Sequence, residues 1–281
     1  MFKFNFGEVD LVSLDVPGDS SEPSSPPEDL YDVIETGGDR YRDWFTRMCL
    51  YAVGRSFDAA QDAANQVIVV GTEYGNTPAL LGLQRAAESQ GRRMSSQYFP
   101  SATSSSAAAF LSMRIGATGG NYTINAGLLT PIMAFWQALC GLGYPESSGS
   151  RLLVGDIYCP ESRADAGKET PDLACEPGLV HTCLTAGSEF EAGFEFNAPD
   201  EADEIGEPPI SRIYLRGPIG ATCARYGRNS AFALADLLRA SRRMEIGESV
   251  SMECLSFRGP RGKVTITRLS EQGANMGRSG R

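Results

Sequence analysis

Apolar and polar positions alternate with changing period along this chain, and the changes divide it into short elements of two kinds. Phe2, Phe4 and Phe6 alternate with polar residues, and Val9, Leu11, Leu14 and Val16 continue the extended pattern, so residues 1–16 read as one or two strands. Gly18 to Asp29 is rich in Ser, Pro and acid and has no apolar period; a loop is expected over residues 17–40. From Asp43 to Ala63, residues Trp44, Met48, Leu50, Tyr51, Val53 and Phe57 supply the apolar faces of a helix. Gln66 to Val70 reads as a buried strand, and Thr77 to Gln90 as a helix that stops at Gly91.

Ser101 to Ile115 predicts a further helix. Its Ser and Ala side chains would let it approach a neighbouring backbone closely, in the interior or at an interface. Asn121 to Ala126 predicts a strand. Thr130 is the expected N-cap of the next helix, with Pro131 in its first turn and Gly141 and Gly143 at its end. Ile132, Met133, Ala134, Phe135, Trp136, Ala138, Leu139 and Cys140 make that helix apolar nearly all round, so it should be buried. Arg151 to Tyr158 follows as a strand, and Cys159 to Gly178 is polar and irregular.

Leu179 to Leu184 and Phe190 to Phe196 read as strands, the second with Phe190, Phe194 and Phe196 on one face. Residues 197–209 hold Asp200, Glu201, Asp203, Glu204 and Glu207 and read as an acidic linker. Ile210 to Leu215 is a predicted strand and Ser230 to Ser241 a helix. Ser249 to Phe257 and Lys263 to Leu269 form a predicted hairpin, and residues 270–281 a disordered tail. Alternation of helix and strand through the middle argues for an α/β fold, a layered mixed sheet with buried helices.

Composition narrows the partners. A length of 281 residues suits one large domain, and a formal charge of −10 makes nucleic acid and anionic membrane surfaces poor partners. The longest apolar run, Pro131 to Leu142, is too short to span a membrane, and the first residues lack the pattern of an export signal. Seven cysteines without regular spacing, with Cys140 and Cys254 in apolar elements, read as free thiols in a reducing cytosol, so a cytoplasmic location is expected.

Ordinary catalytic patterns fit badly. The turn Gly71 to Asn76 lacks the Lys-Ser or Lys-Thr of a phosphate loop, and no G-x-G-x-x-G is present. His181 is the one histidine and there is no G-x-S-x-G, which disfavours serine hydrolase chemistry. Cys159, Cys175, His181 and Cys183 match no compact zinc spacing, so no metal and no cofactor is expected, and His181 reads as a satisfied strand residue.

A longer ordered pattern is more specific. Val69-Val70-Gly71-Thr72-Glu73-Tyr74-Gly75-Asn76 is followed by Phe99-Pro100, the small-residue helix Ser104 to Met113, Asn121-Tyr122-Thr123-Ile124-Asn125-Ala126-Gly127-Leu128, the apolar helix and the strand Arg151 to Asp156. This order resembles the N-terminal half of a β-ketoacyl synthase of the thiolase-like superfamily. It spans Asp43 to Tyr158 and returns more weakly from Ile210 to Leu269. There, Arg216 to Ala221 is similar to a segment that holds a catalytic histidine, and Ser256 to Gly262 to a glycine-rich C-terminal hairpin.

The resemblance implies a reduced, truncated thiolase-like fold in a single domain, residues 1–281. Residues 41–196 would form the N-terminal half and 210–269 a remnant of the C-terminal half. In active members a cysteine at a helix N-terminus attacks the acyl group, helped by two histidines. Here Leu128 stands at the nucleophile's place, the His-Gly-Thr-Gly-Thr motif is absent, and Gly217 to Ala221 holds no histidine. No catalytic residue is therefore expected.

Such a chain resembles the chain length factor, the inactive ketosynthase partner in type II polyketide synthases, and its shortened form the subunits of reducing, polyene-forming systems. The resemblance implies a heterodimer with an active ketosynthase, pairing through Asn121, Tyr122, Thr123, Ile124 and Asn125. It implies an acyl tunnel lined by Tyr74, Thr77, Leu81 and Tyr98. It also implies an acyl carrier protein that docks mainly through the partner, since both this chain and carrier proteins are acidic. The competing readings are a degenerate acyltransferase or decarboxylase that uses Cys140 or Cys183, and a homodimeric acyl-binding scaffold.

Overall fold

A computed structural model describes residues 2–15, 26–56, 64–157, 177–197, 212–217, 220–225, 230–255 and 261–270. In chain order the strands are β1 (Phe2–Phe6), β2 (Val9–Asp15), β3 (Gln66–Gly71), β4 (Asn121–Ile124), β5 (Gly149–Asp156), β6 (Gly178–Leu184), β7 (Phe190–Asn197), β8 (Arg212–Gly217), β9 (Gly220–Arg225), β10 (Ser249–Leu255) and β11 (Arg261–Arg268). The helices are α1 (Leu30–Ile34), α2 (Trp44–Ser56), α3 (Thr77–Gln90), α4 (Phe99–Ala102), α5 (Ser106–Ile115), α6 (Thr130–Leu142) and α7 (Ser230–Arg243).

The strands form two sheets. One is antiparallel throughout, in the order β1-β7-β11-β10-β8-β9. The other is mixed, in the order β2-β6-β5-β3-β4, with β3 parallel to both β4 and β5. Period-2 alternation sorts the residues of the mixed sheet. Val67, Val69, Leu152 and Val154 join Ile132, Phe135 and Leu139 of α6 and, beyond the helix, Phe194, Met252, Val264 and Ile266 of the antiparallel sheet. Ile68, Val70 and Leu153 face the other way, onto Met48, Leu50, Leu111 and Ile115 of α2 and α5. The layers therefore run α2 and α5, mixed sheet, α6 and α7, antiparallel sheet. That is why α6 is apolar nearly all round: sheets cover it on two sides.

The outer face of the antiparallel sheet is charged. Lys3 pairs with Glu191 at 2.7 Å, and Lys263 stands in register between Glu195 and Glu253. On the inner face the three phenylalanines of β7 do share one side. Phe190 stacks on Phe6 with ring centres 5.3 Å apart, Phe194 meets Phe135 at 5.9 Å and Phe196 meets Trp136 at 5.7 Å.

Several boundaries differ from expectation for physical reasons. Residues 1–16 hold two strands that belong to different sheets, split where Gly7 N–H donates to Thr185 O. The expected loop over 17–40 contains α1, whose Leu30 and Ile34 are buried, and a 3-10 turn at Asp39–Tyr41. The predicted helix Ser101 to Ile115 is broken into α4 and α5, because the Thr103 and Ser106 hydroxyls bond Pro100 O and compete with the helical ladder. Thr130 lies inside α6 rather than capping it; its hydroxyl instead accepts Ala126 N–H at 3.0 Å. β9, hairpinned to β8, was unexpected because Gly220 to Arg225 shows no apolar alternation. The acidic residues of the 197–209 linker and the tail beyond Ser270 lie outside the described residues.

Candidate functional site

β3, β4 and β5 run parallel and end side by side, so the turns after them converge. β5 ends on Asp156, which is 2% exposed. A buried carboxylate costs several kcal/mol unless hydrogen bonds replace its water. Here the turn after β3 supplies them: Thr72 Oγ1 donates to Oδ1 at 2.5 Å, Tyr74 N–H at 2.8 Å and Gly75 N–H at 3.0 Å, and Glu73 N–H donates to Oδ2 at 3.1 Å. Gly155 makes this possible. Its φ is +139°, and a Cβ there would lie 2.1 Å from Gly178 O.

The same turn is tied to β4, where Asn125 Nδ2 donates to Glu73 O at 2.9 Å. Burial, and then the charge of Asp156, raise the Glu73 carboxyl to about 7. Across the sheet junction, burial and then Glu73 push the Cys254 thiol far up, leaving it protonated and inert. Thr72, Glu73 and Asp156 were not anticipated as a unit. A lone acid closing the apolar run Leu152-Leu153-Val154-Gly155 was the available signal.

Leu128 follows Gly127, whose φ is +53°, in the turn between β4 and α6. It is 7% exposed and belongs to the core between the sheets, with Leu129 beside it occupying the space that a Cβ at Gly262 would need. Hydrocarbon fills the Leu128 position ahead of α6, and that side chain can act as neither nucleophile nor base.

α3, which follows the turn after β3, has no buried residue despite its leucines. Thr77, Leu80, Leu81 and Leu83 of α3, with Met94 and Phe99, line an open groove of about 530 Å³. Leu80 is 45% exposed and Phe99 50%. The structure brings Thr77 and Leu81 to this groove. Tyr74 is half-buried one turn earlier and does not line it, and of Tyr98 the structure describes only the backbone, in the 3-10 turn Ser96–Tyr98.

β4, which carries the expected interface residues, is an edge strand with β3 as its neighbour. Asn121 and Asn125 are exposed, and Tyr122, Thr123 and Ile124 half-buried. Tyr122 Oη lies 3.0 Å from Tyr144 Oη, and Thr123 Oγ1 is buried with no hydrogen-bond partner among the described residues. An edge strand with an open backbone side and a helix that leaves its leucines uncovered are both unfinished surfaces.

Among the described residues no group of three or more His, Cys, Asp or Glu side chains could hold a metal, and no helix is long and apolar enough to cross a membrane. Cys159 and Cys175 lie outside the described residues. Cys140 sits in α6, where burial raises its thiol. His181 is a buried residue of β6 hydrogen-bonded to Ser56.

No protein-family model matches the sequence, and no curated protein matches it as a relative. Solved structures do share the fold. The ishigamide ketosynthase/chain length factor is 12% identical, with TM-score 0.61 over 87% of this chain and 86% of that one. A chain of the ketosynthase ApeO in complex with its chain length factor ApeC, from Xenorhabdus doucetiae, is 12% identical, with TM-score 0.58 over 94% and 99%. A chain of AntDE:AntF, a type II polyketide synthase acyl-carrier protein in complex with its ketosynthase bound to the hexaketide, is 11% identical, with TM-score 0.60 over 88% of each chain. At these identities the likeness establishes the fold: this is a thiolase-like α/β fold in reduced form.

Proposed function

We propose that this chain is a non-catalytic chain length factor, the partner of an active ketosynthase in a cytoplasmic type II polyketide synthase of the polyene-forming kind. The observation that carries the reading is Leu128, a buried leucine at the head of α6 where the ketosynthase pattern has its nucleophilic cysteine. A hydrocarbon side chain neither attacks a thioester nor accepts a proton, so the retained fold serves something other than condensation by this chain.

The β4 edge and the exposed α3 fit an interface role. Asn121 to Asn125 would pair with the ketosynthase, and the groove beside Thr77 and Leu81, with Tyr74 and Tyr98, would become the closed end of an acyl tunnel once the partner covers it. Product length is then set by shape. The growing chain arrives on an acyl carrier protein bound mainly by the partner, because a protein of charge −10 repels an acidic carrier.

Co-expression with a candidate ketosynthase tests this. A stable heterodimer that makes polyketides of one dominant length, lost when either subunit is omitted, is the expected result. A ketosynthase equally active and equally length-selective alone would overturn it.

A further inference from the structure

The groove along α3 has hydrocarbon walls and hydrogen-bond donors that are already in use. Leu80, Leu81, Leu83, Met94 and Phe99 supply most of the wall, and among the described residues no charged side chain lines it. Its two polar side chains are engaged elsewhere. Thr77 Oγ1 donates to Tyr74 O, and the exposed Gln84 gives its amide to Glu88 Oε1 at 2.9 Å.

The backbone is equally committed. The first N–H groups of a helix lack partners within it and can make its N-terminus a donor site. Here Thr77 N–H donates to Tyr74 O at 3.0 Å, Pro78 has no N–H, and Ala79 and Leu80 N–H donate to Asn76 O at 2.9 and 3.1 Å. Leu81 and Leu83 lie inside α3, where the helical ladder takes their N–H groups. Met94 N–H donates to Gly91 O at 3.2 Å, and Phe99 N–H donates to Ser96 O. A molecule lying in the groove meets hydrocarbon and donors that are spent.

We infer that the acyl segment held in this groove carries no oxygen, so each ketone made by condensation is reduced and its hydroxyl eliminated before the chain returns here. The inference rests on reading the groove as the end of an acyl tunnel. An unreduced chain brings a carbonyl at every second carbon. Once a partner covers the groove, those oxygens lose water and gain no donor from this chain, which costs free energy for each one. A reduced chain has nothing to satisfy, and its contact with the leucines is favourable. The supplying reactions follow from that chemistry. A reductase must deliver hydride from a reduced nicotinamide, and a proton, to the ketone. A dehydratase must then remove the hydroxyl and a neighbouring hydrogen as water, which leaves a carbon–carbon double bond. Both steps belong to other enzymes, and the groove admits their product.

The test uses the full chain co-expressed with a candidate ketosynthase. The probes are N-acetylcysteamine thioesters of octanoic, decanoic and dodecanoic acid, each beside its analogue with a ketone at the penultimate carbon. Mass spectrometry follows their extension. For the longest acyl chain that is extended, kcat/KM should exceed that of the keto analogue by about tenfold or more, the effect of one buried unpaired carbonyl. Leu80→Asn or Leu81→Asn puts an amide donor into the wall and should narrow that ratio. Equal extension of the two esters, or a ratio that neither substitution changes, would overturn the inference while leaving the tunnel reading in place. A pair that extends no ester at all would overturn the tunnel reading, and the inference with it.

Discussion

Thr72 and Asp156, 84 residues apart in sequence, are joined by a 2.5 Å hydrogen bond between buried side chains. That bond, with three backbone N–H groups on the same carboxylate, fastens the end of β5 to the turn that launches α3. Asp156→Ala leaves Thr72 Oγ1 and those N–H groups without their acceptor in a dry site. A loss of about 3 kcal/mol or more is expected, read as a lower urea midpoint with an unchanged slope. Thr72→Val removes one donor and should cost about 1–2 kcal/mol.

Glu73 makes stability depend on pH. Its carboxyl is raised to about 7 in the folded protein and titrates near the ordinary glutamate value when unfolded. Between those two values the unfolded chain has lost the proton and the folded chain keeps it. Stability therefore falls as pH rises through that window and levels off above about 7. A difference of about 1–2 kcal/mol between pH 5 and pH 8 is expected, and Glu73→Gln should abolish it. Thermal melts of both proteins at the two pH values decide; a parallel shift in both would assign the effect elsewhere.

Leu128 fills core volume. Leu128→Ala should cost about 2–4 kcal/mol through lost burial and the cavity left between the sheets. Leu128→Cys should fold but show no condensing activity, since the described residues offer no histidine at the head of α6. Chemical melts and a malonyl decarboxylation assay measure the two outcomes.

The β4 edge gives a direct assay of assembly. Gly120 and Ile124 turn their carbonyls to β3, so strand alternation leaves the Thr123 N–H on the open side. Thr123→Pro removes that donor where an edge strand tolerates proline. Co-purification with the ketosynthase should weaken by about tenfold or more, a loss of at least about 1.4 kcal/mol, while the melting point of the lone chain changes little.

Alanine at Tyr74, Thr77, Leu81 and Tyr98 in turn checks the steric reading of the groove. The residue that closes the tunnel should yield longer products when truncated, and Leu81→Trp should shorten them. Mass spectra of the released polyketides report the length, and an unchanged distribution across all five variants would remove these residues from that role.

Local period in the sequence determines much of this protein. Val67 and Val69 alternate with Ile68 and Val70, which calls for a strand covered on both faces, and the apolar surface of α6 calls for burial all round; both follow from side-chain repeats a few residues long. The apolar Leu128 was equally legible, because a missing sulfur is a property of one position. What only the tertiary structure decided are contacts between distant segments. The partition of β1 and β2 between two sheets, the grip of Thr72 on Asp156 and the meeting of Ser56 and His181 depend on how layers stack. Neither helical nor strand periodicity carries information across 84 or 125 residues of chain. Burial then gave those meetings their chemistry: excluding water raised one carboxyl, lowered one imidazole and left each dependent on the partner the fold supplied.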